Sequence, residues 1–145
     1  MADNIYLLLS KAQLQSASKL VVNELASVIF YNEGNLQFKK IPLPITVQFS
    51  SLNAVIAEDL NGDGRKDLLT AGNFFPYRVQ LGRSASSVGA VFLGTGEQKF
   101  ETVDPSASGF FASGDIRNMV ALPGGGGTLF IIAKNDGPVQ VFKKQ

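Results

Sequence analysis

The stretch from Asp59 to Asp67 carries the residues best suited to chemistry in this chain. Its sequence, Asp-Leu-Asn-Gly-Asp-Gly-Arg-Lys-Asp, places oxygen-bearing side chains at loop positions 1, 3, 5 and 9. Calcium takes roughly six to eight oxygen ligands, and a short loop with this spacing can wrap around the ion. We therefore predict a Ca²⁺ site with Asp59, Asn61, Asp63 and Asp67 as side-chain ligands and with the main-chain oxygen of Arg65 as a further ligand.

Two glycines complete this acidic loop (residues 59–67). Gly64 permits the sharp turn at position 6, and Gly62 permits close packing of the backbone. The loop is not an EF-hand, because position 12 is Thr70 where that motif needs Glu. A solvated turn is the alternative interpretation, since Asn, Asp and Gly are ordinary turn residues. Three carboxylates within nine residues would repel one another without a cation, which favours the metal site.

Composition removes most other chemistry. The 145 residues include no Cys and no His, which excludes thiolate nucleophiles, zinc–cysteine sites and an imidazole base. With 13 Lys+Arg against 12 Asp+Glu the net charge is +1, which argues against a nucleic-acid binder. The longest leucine run, Leu7 to Leu9, is too short for membrane insertion, and the N-terminus lacks the pattern of a signal peptide.

A glycosidase would need two carboxylates at a set separation. The acidic residues available outside the loop stand in no distinctive setting, so we predict that the chain is not an enzyme. The acidic residues considered are Glu58, Glu97, Glu101, Asp104, Asp115 and Asp136.

Short apolar runs separated by turn residues predict an all-β fold after a short N-terminal helix. Ser10 is the expected helix cap before residues 11–17, with Leu14 and Ala17 facing inward. The predicted strands are Lys19–Asn23, Ser27–Tyr31, Leu36–Lys40, Asn53–Ala57, Leu68–Ala71, Gly89–Leu93, Lys99–Val103, Arg117–Ala121, Leu129–Ala133 and Val139–Lys143.

An internal repeat of 62 residues organises these strands. Residues 27–34 followed by Phe38 resemble residues 89–96 followed by Phe100, and residues 68–73 resemble 130–135 at the same step. A period of this size with about four strands per unit is typical of a four-stranded antiparallel β-propeller blade. The predicted strands fall into groups of three, four and three.

The repeat divides the chain into a partial blade with the short helix (residues 1–50), a complete blade with the acidic loop (51–112) and a partial blade without it (113–145). In the last unit the acidic loop is replaced by a glycine turn at residues 124–127. About two and a third units cannot close a ring alone, since a propeller has at least about four blades. We expect self-association, or the remaining propeller blades, to cover the open edges.

The acidic loop and its flanks resemble the FG-GAP/VCBS repeat, the blade unit of integrin α-subunit propellers and of many bacterial surface proteins. More narrowly, the chain is similar to the C-terminal part of bacterial cartilage-acidic-protein-like FG-GAP proteins. The resemblance implies a calcium-bearing propeller used for adhesion or ligand display, secreted or at the cell surface. The segments that carry it are 59–69, 89–93, Asn23-Glu24-Leu25, Leu43-Pro44 with Gln48-Phe49, Ala71-Gly72-Asn73-Phe74 and Gly82-Arg83.

Three functional hypotheses follow. The first is a non-catalytic calcium-binding module for protein or ligand interaction, in which the ion is structural. The second is a carbohydrate-binding, lectin-like module that uses the long loop after Asn73, where Phe74, Phe75, Tyr77 and Arg83 could grip a sugar or a protein partner. The third is an edge-pairing propeller fragment that assembles into a larger ring. Anchoring of the loop to the core is the plainer role for its phenylalanines.

Overall fold

The computed structural model describes residues 4–76, 80 and 82–144. Over these residues the chain forms nine strands in three antiparallel sheets. The first sheet is a hairpin of β1 and β2, the second has the order β3-β4-β5-β6, and the third has the order β7-β8-β9. All-β character is therefore confirmed, and the sheets do not close on one another.

The strand bounds follow the predicted pattern with small extensions. They are β1 (Val28–Gly34), β2 (Gln37–Pro42), β3 (Leu52–Glu58), β4 (Asp67–Gly72), β5 (Ala90–Gly96), β6 (Lys99–Val103), β7 (Asp115–Gly124), β8 (Gly127–Asn135) and β9 (Gln140–Lys143). Single 3₁₀ turns cover Ile5–Leu7 and Ile45–Val47.

Two short helices accompany the strands. Helix α1 (Lys11–Ser16) begins at the predicted cap, where the Ser10 hydroxyl accepts from the Gln13 amide and the Gln13 side chain accepts from the Ser10 amide. Leu14 is half-buried, but Ala17 is exposed, so the inward position predicted for Ala17 is wrong. Helix α2 (Pro105–Ser108) lies between two of the predicted strands, where no helix was predicted, and is capped by the Asp104 carboxylate.

The predicted strand Lys19–Asn23 is wrong. These residues form no strand in the described chain, and Leu20 is almost fully exposed. Apolar β-branched residues favour a strand only when a neighbouring strand accepts their backbone hydrogen bonds, and here no ladder includes them. The first group therefore contains two strands rather than the three expected.

The 62-residue repeat appears in the backbone. Strands β1 and β5 begin and end 62 residues apart, and both hairpins carry a bulge before the turn. The turn residues also match: Gly34 and Gly96 have φ of 87° and 89°, while Asn35 and Glu97 have φ of 49° and 48°. The hairpin β1–β2 is thus the counterpart of β5–β6, the last two strands of the second sheet.

The central strands of the second sheet, β4 and β5, are largely buried on both faces. One face packs against the third sheet in a core that includes Ile56, Leu69, Val91, Phe130 and Ile132. The opposite face packs in a second core in which Leu68 and Phe92 meet Leu43, Val47 and the hairpin residue Ile29. Strand β4, buried at every residue, lies between the two cores and carries Asp67 at its first position.

Candidate functional site

The acidic loop connects β3 to β4 at one end of the second sheet. The strands remain paired up to Glu58 opposite Asp67, so the residues between them must turn back within a short span. Gly62 and Gly64 both have φ of 83°, a left-handed conformation that glycine adopts without strain. The register of the sheet therefore fixes both ends of the loop, and the two glycines allow it to fold back. The close packing predicted at Gly62 is wrong, because a Cβ there would meet no atom within 4 Å; the positive φ is what favours glycine.

The carboxylate of Asp59 lies at the centre of this turn. It accepts hydrogen bonds from the backbone amides of Gly62, Asp63 and Gly64 at 2.6, 3.2 and 2.8 Å. These bonds, led by the one from Gly64, hold the pKa of Asp59 below its usual value. Asp59 therefore organises the loop as an anion before any ion binds.

Asp63 is exposed and already faces a cation. Its carboxylate accepts from the Arg65 amide at 2.8 Å, from the Asn61 side-chain amide at 3.0 Å and from the Arg65 guanidinium at 2.6 Å. The backbone bond from Arg65 and the Asn61 bond are the main causes that lower its pKa. The same guanidinium donates to the Gly94 carbonyl at 2.6 Å, which ties the loop to β5.

Asp67 is fully buried and differs in this respect from the other predicted ligands. One carboxylate oxygen accepts from the Leu60 amide at 2.7 Å, and the other accepts from the Gly94 amide at 2.8 Å. Each oxygen retains a second lone pair. Asp67 therefore joins the loop to both β4 and β5.

The predicted ligands are brought into one turn but are not arranged as a metal cluster. Within the described ranges, no three His, Cys, Asp or Glu side chains are grouped so that they could hold an ion. Two contacts explain this: Asp67 is directed at backbone amides, and Asp63 is paired with Arg65. The donor atoms of Asp59, Asn61 and Asp63 are all oxygens, which suits calcium chemically. Coordination would require Asp63 to exchange the guanidinium for the ion.

The end of the third sheet also contacts the acidic loop. The Lys144 ammonium donates to the Asp59 carbonyl at 2.7 Å, and the Lys144 amide donates to the Thr128 carbonyl at 2.8 Å. The corresponding connection in the third sheet is a tight turn with Gly124 paired to Gly127. Sequence reasoning missed Lys144, because nothing in its local pattern indicates a contact with the acidic loop.

The second predicted site, the loop after Asn73, is described only in part. Phe74 and Phe75 are half-buried, with the Arg117 guanidinium 5.7 Å from the Phe74 ring centre and the Arg83 guanidinium 5.0 Å from the Phe75 ring centre. Tyr77 lies outside the described residues. Since Arg83 covers one face of Phe75, that face is not open for stacking on a sugar.

A groove that the sequence did not indicate lies between the second and third sheets. Its volume is about 670 Å³, and its apolar wall includes Phe110 and Phe142, whose ring centres are 4.8 Å apart. Asn61 and Lys144 line it on the side of the acidic loop. The groove thus adjoins the predicted metal site, whereas the predicted partner loop does not line it.

Three of the six carboxylates considered for glycoside hydrolysis have local structural partners. Asp104 caps α2, Glu97 pairs with Lys99, and buried Asp115 pairs with Arg117 at 2.7 Å. The absence of enzymatic activity remains a prediction.

Comparisons with protein families, with curated proteins and with solved structures found no match. Among the described helices, none is both long and apolar enough to cross a membrane. The features of the chain that bear on its function are therefore the acidic loop, the repeat and the exposed surfaces of the sheets.

Proposed function

We propose that this chain is a non-catalytic calcium-binding β-repeat module of the FG-GAP/VCBS type, in which the ion is structural. The observation that carries the proposal is the turn folded around the Asp59 carboxylate, with Asp63 beside it already paired to a cationic group. A turn of this kind brings oxygen ligands together from a single short segment. The neighbouring strands limit how far the turn can spread.

The proposed ligands are the side chains of Asp59, Asn61 and Asp63 and the main-chain oxygen of Arg65, with Asp67 contributing a free lone pair. When bound, calcium would neutralise the carboxylates and clamp the β3–β4 connection. Asp67 would keep its bonds to the Leu60 and Gly94 amides. Because Gly94 belongs to β5, the clamp would extend to a third strand.

We also propose that the three sheets are propeller blades, two of them partial. The repeated hairpin geometry and the burial of the central strands of the second sheet between two cores support this assignment. A secreted or cell-surface setting follows from the calcium proposal, since loops of modest affinity fill where calcium is millimolar. In that setting the module would present a surface for a protein or carbohydrate ligand.

Thermal unfolding with calcium, with magnesium or with a chelator tests the calcium proposal. A ligand that binds only the folded state at 100 times its dissociation constant adds about 2.7 kcal/mol to the free energy of unfolding. For a domain of this size we expect the melting temperature to rise by roughly 5 to 10 °C with calcium. Magnesium should raise it much less, because it gives up its water ligands reluctantly.

Two variants assign the shift to the loop. Asp63→Asn removes one ligand charge and should abolish most of the calcium shift. Asp136→Asn removes the same charge from an exposed residue outside the loop and should leave the shift intact. An unchanged melting temperature in several millimolar calcium would refute the proposal, as would an equal calcium response of both variants.

A further inference from the structure

The third sheet presents an apolar row on the face turned away from the second sheet. Val120 on β7 pairs with Ile131 on β8, and Ile131 pairs with Val141 on β9. Directly paired residues project from the same face of a sheet, so the three side chains form one row. Val120 is 43% exposed and Val141 is 55% exposed. We name this row the exit face.

The second sheet contains the equivalent row, and there it is covered. Ile56 on β3 pairs with Leu69 on β4, and Leu69 pairs with Val91 on β5. Leu69 and Ile131 are 62 residues apart, as the repeat requires. The row in the second sheet is buried because the third sheet packs on it, through residues that include Phe130. The exit face is therefore apolar like the equivalent row of the second sheet, which is buried under another sheet.

The hairpin β1–β2 packs on the other side of the second sheet from the third sheet, and its outer face is also apolar. Phe30 and Phe38 project from the face turned away from the second sheet, and they are 60% and 58% exposed. Their counterparts one repeat later are Phe92, which is fully buried, and Phe100. We name the surface of Phe30 and Phe38 the entry face.

Within the chain, each interface between neighbouring sheets joins a face equivalent to the exit face with a face equivalent to the entry face. The row of Ile56, Leu69 and Val91 packs against the face of the third sheet that includes Phe130. The opposite face of the second sheet, which includes Phe92, packs against the face of the hairpin that includes Ile29. The exit face and the entry face are thus equivalent to the two surfaces that pack together in both sheet–sheet interfaces of this fold.

We propose that a second copy of this chain binds head to tail, with its entry face on the exit face of the first. The contact joins two different surfaces, so it can continue to further copies and close into a ring if the rotation permits. This inference does not rest on the calcium proposal, because neither face includes a residue of the acidic loop.

Paired variants test this arrangement by sedimentation equilibrium over a range of protein concentrations. The wild type should show a mass that rises above 15.5 kDa with concentration. Phe30→Glu blocks the entry face and Val141→Glu blocks the exit face, so each variant alone should remain monomeric. Phe49→Glu is the matched control: Phe49 is 59% exposed but belongs to neither face, and this variant should associate like the wild type.

Mixing the two blocked variants gives the deciding result. Each retains one intact face, so an equimolar mixture should form dimers of twice the monomer mass and nothing larger. A mixture that stays monomeric would overturn the proposal, as would a monomeric wild type or self-association of Phe30→Glu alone. Circular dichroism checks the fold of each variant, and Val120→Lys replaces Val141→Glu if the latter unfolds. Measurements in calcium and in chelator separate this outcome from that of the metal site.

Discussion

The burial of Asp67 leads to a prediction that separates stability from ion binding. Asp67→Ala removes a carboxylate whose two oxygens accept from the Leu60 and Gly94 amides. Asp63→Ala removes an exposed carboxylate of the same loop. Both residues are predicted calcium ligands, but only Asp67 joins the acidic loop to both β4 and β5. In a chelator, we therefore expect a large loss of stability for Asp67→Ala and a small one for Asp63→Ala.

The size of the loss can be worked out from the two amides. Gly94 is buried, so its amide would be left without a partner, at a cost of about 2 to 3 kcal/mol for a lost bond to a charged group. Leu60 is half-buried, so water can replace part of its bond, and about 1 kcal/mol is expected there. The sum is roughly 3 to 4 kcal/mol, which lowers the melting temperature of a domain of this size by about 10 °C. For Asp63→Ala, the loss should be much smaller, because an exposed ion pair contributes little to stability.

Chemical denaturation in the presence of a chelator measures both losses without any contribution from the ion. Asp67→Asn is a useful intermediate, since it preserves the shape and one acceptor oxygen and should lose about half as much stability as Asp67→Ala. If the free energy of unfolding of Asp67→Ala lies within about 1 kcal/mol of the wild-type value, the carboxylate does not hold the acidic loop against β5. A larger loss of stability for Asp63→Ala than for Asp67→Ala would also contradict this role of Asp67.

Three further outcomes are expected. The pKa values of Asp59 and Asp63 are lowered in the folded state, so their contribution to stability is present above the ordinary Asp range and is lost as the pH falls through the lowered values; acid titration of Asp59→Asn should show a smaller loss than the wild type. Gly94→Ala should unfold readily in a thermal melt, because its Cβ would lie 2.4 Å from the Lys66 carbonyl oxygen. Asn73→Ala should cost about 2 to 4 kcal/mol in urea denaturation, since this buried side chain makes four hydrogen bonds; a loss under 1 kcal/mol would contradict that role.

The repeat was the part of the fold that could be predicted best, for a local reason. A hairpin turn depends on a few adjacent residues that tolerate positive φ, and these recur 62 residues apart. The alternation of apolar residues then fixed the strands that flank each turn. The positions of the strands follow from such local patterns, and nine of the ten predicted strands appear in the described chain.

Contacts between distant segments could not be predicted. Asp67 was expected to be a ligand like Asp59, because spacing along the loop does not show that β5 brings the Gly94 amide against it. The pairing of Asp63 with Arg65 was also missed, although it is local, since Arg65 was considered only for its main-chain oxygen. Local propensity also predicted a strand at Lys19–Asn23, which has strand-forming residues but no partner strand in the described chain.

The repeat and the acidic loop together explain why one hairpin position differs between its two copies. Gly94 in β5 corresponds to Asn32 in β1, and a side chain at Gly94 would collide with the Lys66 carbonyl of the acidic loop. At Asn32 the side chain is exposed and accepts from the Gly34 amide at 2.9 Å, which stabilises the turn. Glycine at position 94 therefore gives up a turn-stabilising side chain so that the loop can approach β5. Glycine at this position therefore favours a functional role for the contact between the acidic loop and β5, because an ordinary solvated turn would need no such contact.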